Sequence, residues 1–342
     1  MLFFLFIFLF FVFYLSIINY SLKKFNFCLD KETNNEKHKF LLRKDSSTPL
    51  SGTFYFLPIF LILFYNSDFT IIISCCFLFI LGLSADLKIL SSYKFRLALQ
   101  FLFFSSLFFL SKDIKIFTWI SFIDNLMKYE LIRILLCTFF FMVLINGSNL
   151  IDGTNCLCSA NLLIISIFTI FLIKKLNIQF FYYETLILTI SLSIFVIFNF
   201  FGKNFLGDGA AYGISFLLGY ILLKITLLNY NVSPYFIANL LWYPAFENLF
   251  SIARRNLSKK NNYLPDNDHL HHLIFKFYKK KNITKKNSLL SSLIGLSINS
   301  LLFINYFIGY NYYNSTTAQV ILIFCGIFIY LLFYYILNKK LC

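Results

Sequence analysis

The chain has 342 residues, a length that would suggest two or three domains in a soluble protein. Hydrophobic residues make up 59% of it, aromatics 21% and charged residues 13%. Soluble chains carry about 25% charged residues, and disorder needs the opposite bias, so both are excluded. The net charge of +15 comes from 30 Lys and Arg against 15 Asp and Glu. Beside so much apolar sequence it reads as basic loops holding helix ends at one membrane face, with no nucleic-acid partner. The fold class is all-α: a polytopic membrane protein, read as a single transmembrane domain over 1–342.

Residues 1–22 carry no charge, and Lys23 and Lys24 follow the apolar run instead of preceding it. That order predicts a retained first helix with its amino end outside, not a cleaved signal. Further apolar stretches fall at 50–66, 69–85, 96–111, 130–146, 157–173, 182–200, 208–223, 233–250, 288–308 and 318–338. Each is near the ~20 residues that cross hydrocarbon, so about eleven transmembrane helices are expected, with the carboxyl end cytoplasmic. On this topology 23 of the 30 basic residues lie inside. The other seven are Lys112, Lys115, Lys128, Arg133, Lys174, Lys175 and Lys224, and the bias fits the positive-inside rule. The eight cysteines form no disulfide framework. Cys75, Cys76, Cys137 and Cys325 sit in apolar runs, and Cys156 with Cys158 is a lone Cys-x-Cys, a weak zinc signal.

The unusual polar residues all fall on the inside face. Asp86 follows the third span, and Asn146, Asn149, Asp152 and Asn155 follow the fifth. Asp208 opens the eighth, within Phe205-Leu-Gly-Asp-Gly. Arg254, Arg255, Asp266, Asp268, His269, His271 and His272 follow the ninth, with three of the four histidines inside four residues. Few carboxylates among many basic groups suit a di-anionic ligand bridged by a hard divalent cation, which takes one or two carboxylates plus phosphate oxygens. Asp208, among small residues at a helix start, is the leading metal ligand; a plain N-cap is its alternative. Taken alone, Asp86 reads as a loop carboxylate beside Lys88, Asp152-Gly153 as a turn, and Arg254-Arg255 as a lipid anchor.

In order along 37–290, these segments resemble the polyprenyl-phosphate N-acetylhexosamine-1-phosphate transferase family, which includes the bacterial phospho-N-acetylmuramoyl-pentapeptide transferase. The family's Gly-x-x-Asp-Asp is matched by Gly82-Leu-Ser-Ala85-Asp86, and its Asn-x-x-Asn-x-x-Asp-Gly-x-Asp-Gly by Asn146 to Cys156. Phe-Leu-Gly-Asp stands at Phe205 to Asp208. Arg-Arg, a spacer and Asp-x-x-His-x-His-His stand at Arg254-Arg255 and Asp266 to His272. Val232-Ser-Pro and Tyr243-Pro-Ala-Phe-Glu247 look like a branch linked to surface polysaccharides.

The resemblance implies transfer of N-acetylhexosamine 1-phosphate from a UDP-sugar to a membrane polyprenyl (undecaprenyl) phosphate, releasing UMP, with Mg²⁺ or Mn²⁺. It places the site on the cytoplasmic face of the inner membrane, as the initiating step of an O-antigen-like envelope polysaccharide, in a homodimer. By position, Asp208 would ligate the metal with Asn149 assisting, and Asp86 would orient or deprotonate the lipid phosphate. Asp152 and Asn155 would face the uridine, and His269, His271 and His272 the pyrophosphate. Arg254 and Arg255 would add positive charge. Departures are Ala85 for the usual first Asp, Asn155 for Asp, Cys156 for Gly, and Ala210-Ala211 for Gly-Ser. Ala85 leaves open a homologue that binds polyprenyl phosphate without turnover. An ion-coupled transporter is disfavoured, because its carboxylates belong at mid-span.

Overall fold

The computed structural model describes residues 2–30, 48–63, 69–112, 118–179, 181–257, 268–281 and 286–341. In chain order its helices are α1 (Leu2–Lys24), α2 (Gly52–Leu63), α3 (Phe69–Asp86), α4 (Tyr93–Leu110) and α5 (Ser121–Leu126). There follow α6 (Glu130–Leu150), α7 (Leu157–Lys175), α8 (Tyr182–Phe200), α9 (Gly207–Leu228) and α10 (Pro234–Leu257). The last three are α11 (Leu270–Lys280), α12 (Asn287–Asn311) and α13 (Thr316–Leu341). All eleven expected stretches are helical, and α5 and α11 are additions. α11 is a short amphipathic helix that buries Leu270, His271, His272, Leu273 and Phe275 and leaves its lysines outward.

Nine of the described helices are long and apolar enough to cross a membrane, where the sequence predicts eleven. The two exceptions differ in kind. α2 has 12 residues, about 18 Å of rise against about 30 Å of hydrocarbon. α10 has the length, but Asn239, Glu247, Asn248, Arg254 and Arg255 lower its hydropathy.

α9 is apolar on every side, and such a helix belongs in the interior. It is buried over 83% of its most apolar window, against 11% for α13, whose surface is left to lipid. α9 packs on α2, α3, α6, α7 and α10. Its crossing with α3 is so close that a Cβ on Gly82 would fall on the Gly209 backbone, an approach only small residues permit. The chain entering α9 is clamped from the side. β1 (Leu29–Asp30) pairs antiparallel with β2 (Thr48–Pro49), and Leu50 bridges in parallel to Phe205. Phe205 N donates to Pro49 O at 2.9 Å, and Ser51 N to Phe205 O at 3.1 Å.

Helix ends assigned to the outside meet one another. Arg133 Nη2 donates to Phe108 O at 2.8 Å, and Ser233 N to Tyr313 O at 3.0 Å. Lys175 Nζ lies over the Tyr310 and Tyr313 rings at 4.8 and 4.4 Å. The opposite end of the bundle holds the polar residues singled out above.

Candidate active site

α9 begins at Gly207, whose φ of +80° is a conformation glycine adopts at little cost. The first N–H groups of a helix lack intrahelical acceptors. Here side chains from two other elements take them. Asp152, in a single 3-10 turn (Ile151–Gly153) after α6, accepts from Gly207 N at 3.1 Å. Asp86, the last residue of α3, accepts from Asp208 N at 3.0 Å through Oδ1 and from Gly209 N at 3.4 Å through Oδ2. Hydrogen bonds to charged groups contribute about 1.5–3 kcal/mol each, and the helix dipole adds to them.

This arrangement corrects the reading of Asp208. The N–H groups expected to greet an anionic ligand are already engaged by Asp86 and Asp152. Nor is Asp208 an N-cap: it sits inside the first turn, because Leu206 occupies the cap position. Its carboxylate is turned to α4, where Arg96 Nη1 meets Oδ2 at 2.7 Å. Arg96 is also coupled electrostatically to Tyr212 and Asp86. Tyr212, one turn beyond Asp208, is buried, and its hydroxyl accepts from Asn149 Nδ2 at 3.3 Å. Asp86, Asp152, Asp208, Arg96, Tyr212 and Asn149 therefore form one connected patch.

The histidines adjoin it through Gly153. A Cβ on Gly153 would stand 2.7 Å from His271 Nε2 and 3.2 Å from His272 Nε2. The His271 and His272 rings are 4.3 Å apart, and His269 stacks on His271 at 5.5 Å. Burial first, and then His272 and His269, push His271 well below the usual 6.5, so it is neutral at neutral pH. Among the described residues neither of its ring nitrogens has a hydrogen-bond partner. His269 Nδ1 lies 2.8 Å from Oε1 of the buried Glu247, whose Oε2 accepts from Tyr330 Oη at 2.7 Å.

Other expected residues face elsewhere. Asn155 is buried, its N donating to Ser291 Oγ at 2.9 Å and its Nδ2 to Ser292 Oγ at 3.2 Å, so it fastens the loop to α12. Arg254 donates to the Asp268 carbonyl and, at 3.2 Å, to Tyr334 Oη, tying the histidine loop to α10 and α13. Arg255 is half-buried one residue further on. Asp268 pairs with Lys276 at 3.5 Å, and Asp266 lies outside the described residues. Cys156 is buried, with its thiol pushed up to about 12 by burial, so at neutral pH it is a small hydrophobe.

Arg96 and Tyr212 escaped the sequence reading, and Glu247 entered it only within the Tyr243 to Glu247 stretch, with no role assigned. Glu247 had a usable signal, since a lone carboxylate in an apolar segment is itself a functional pointer. Among the described residues no three His, Cys, Asp or Glu side chains are grouped to hold a metal. Asp208 and the amide oxygen of Asn149 are nevertheless hard donors. They suit a cation that completes its shell with substrate phosphate and water.

Fold and site define an integral membrane protein with a polar centre, assembled from helix ends, the turn after α6 and a histidine-bearing loop, at one end of the bundle. The sequence model of glycosyl transferase family 4 matches residues 69–226, the segment that carries Asp86, Asn149, Asp152 and Asp208. A curated relative from Thermotoga maritima, named undecaprenyl-phosphate alpha-N-acetylglucosaminyl 1-phosphate transferase, is 28% identical over 276 residues. That match covers 77% of this chain and 83% of the relative. The chain is thus similar to glycosyl transferase family 4 across its middle and to this relative over most of its length.

Proposed function

We propose that the protein transfers N-acetylhexosamine 1-phosphate from a UDP-sugar to polyprenyl phosphate and releases UMP, at a site on the cytoplasmic face. A phosphate oxygen of the lipid forms a bond to the sugar-bearing phosphorus, and the bond from that phosphorus to UMP breaks. The reading rests above all on the convergence of Asp86, Asp152 and Asp208 with Arg96 and the histidines at one end of the bundle. The family match and the relative's name support the same chemistry. The acceptor stays in the bilayer while the nucleotide arrives from water, which suits a polar centre at helix ends.

The second pKa of a phosphate monoester is near 6, so the acceptor is largely dianionic at neutral pH and needs no strong base. Repulsion between two phosphorylated reactants is the larger obstacle, and positioning with fixed charge overcomes it. Mg²⁺, or Mn²⁺, would be held by Asp208 and Asn149 and would supply charge neutralisation. Arg96 binds a phosphate oxygen once it leaves Asp208. His271, neutral and with no hydrogen-bond partner among the described residues, offers one N–H to the pyrophosphate. Asp86 and Asp152 act by holding Asp208 in place, and Arg254 by holding the histidine loop. The polysaccharide fed is an envelope glycan of the O-antigen type, and the protein works as a homodimer.

The test is UMP release by purified protein in detergent with UDP-N-acetylglucosamine, undecaprenyl phosphate and Mg²⁺. Release that needs both lipid and metal is expected. Silence with every UDP-hexosamine would shift the assignment to a polyprenyl-phosphate-binding homologue, with Ala85 as the reason.

A further inference from the structure

Glu247 lies within α10, seven residues and about 10 Å of rise before Arg254, and is fully buried. A carboxylate in such a place is costly unless its charge is balanced and its oxygens are hydrogen-bonded. Both oxygens are engaged. Oε1 meets His269 Nδ1 at 2.8 Å, and Oε2 accepts from Tyr330 Oη at 2.7 Å. Among the described residues, the ion-pair partner of Glu247 is His269. Arg254, one permanent charge near Tyr330, donates to the Asp268 carbonyl and to Tyr334. Among the described residues, Tyr243 on α10, Tyr306 on α12, and His271 and His272 on α11 are the further titratable groups of this cluster, and none of them is an anion at neutral pH.

A carboxylate can only accept, so the nitrogen facing it carries the proton. That selects one tautomer of His269 and leaves Nε2 for a ligand. We infer that Glu247, backed by Tyr330, is a positioning residue for His269: it holds the ring through Nδ1–H, leaves Nε2 to the anionic substrate, and balances the charge the ring acquires when Nε2 is protonated. The role assigned to Nε2 rests on the transfer reaction proposed above; the orientation of the ring does not.

The orientation is read from ring ¹⁵N signals of the full-length protein, which has four histidines, with His269→Gln used for assignment. Glu247→Gln keeps an acceptor for Nδ1–H and loses the charge; Glu247→Ala loses both. Expected are a protonated Nδ1 in wild type and in Glu247→Gln, and loss of that signal in Glu247→Ala. Second-sphere partners of functional histidines are typically worth about 10–100-fold. UMP turnover should therefore fall about tenfold in Glu247→Gln and about a hundredfold in Glu247→Ala, with KM for the UDP-sugar changed less than about threefold. If Glu247→Ala does not fold, Glu247→Gln carries the test through its turnover, with Tyr330→Phe expected to show a smaller loss. An unprotonated Nδ1 in wild type, or undiminished turnover in Glu247→Gln, overturns the inference. Wild type with the protonated Nδ1 but no UMP release keeps the positioning and sinks the transfer reaction instead.

Discussion

The start of α9 and the start of α11 meet at Gly153 yet are balanced in opposite ways. At α9, Asp86 and Asp152 are matched by backbone N–H groups and Asp208 by Arg96. At α11, three imidazoles stand within 6 Å of one another, one of them on a buried carboxylate and one with no hydrogen bond at either nitrogen among the described residues. In the first region every carboxylate is matched by a protein group, and Arg96 Nε alone of its ion-pairing groups has no hydrogen-bond partner among the described residues. The second is under-compensated, and buried polar groups left without partners mark where a ligand belongs.

The sharpest way to break this comparison is Asp208→Asn. If Asp208 is the one carboxylate of the first region available to substrate, UMP release falls more than about 100-fold while the protein stays folded. Retention of a tenth of the turnover would make the α9 region structural alone. Asp86→Ala should act on stability instead, because it strips the acceptor from two N–H groups. A loss of about 1–3 kcal/mol is expected in thermal unfolding. Asp86→Asn keeps an acceptor, is milder, and retains measurable turnover at high pH.

Gly153→Ala probes the seam between the regions. Its methyl group would press on His271 and His272, so overpacking of about 1–3 kcal/mol is expected, with turnover reduced more than by a surface Ala substitution. Equal turnover would show that the two regions work independently. The smallest effect expected is a pH dependence. His271 is held below its usual range in the folded protein, so below about 6.5 the unfolded chain binds a proton that the folded chain refuses. Stability should fall as pH is lowered from 7 through 6, and the slope should flatten in His271→Gln. A wild-type melting temperature that rises on acidification would refute this.

Much of the architecture was legible. Hydrocarbon demands long apolar runs, so composition located eleven of the thirteen described helices, nine of them long and apolar enough to span, and α8 was expected and found at the same residues. The gathering of Asp86, Asn149, Asp152, Asp208 and the histidines at one end of the bundle was legible too, because each lies at or beyond an end of an apolar run that the count of spans assigns to the same side. The stretch 233–250 was expected as an apolar span, and the helix found there, α10, runs on to Leu257 and so takes in Arg254 and Arg255. The pairwise choices were not legible. Asp86 and the Asp208 N–H are 122 residues apart, and nothing local to either names the other.

From the sequence alone follow the all-α class, the approximate helix positions and the residue types gathered at one end of the bundle. Each of these depends on local composition or spacing. Only the tertiary structure decided that Asp86 and Asp152 cap α9, that Arg96 holds Asp208, and that Glu247 holds His269. Those outcomes depend on which helix ends meet, and packing of buried helices over distances far along the chain settles that.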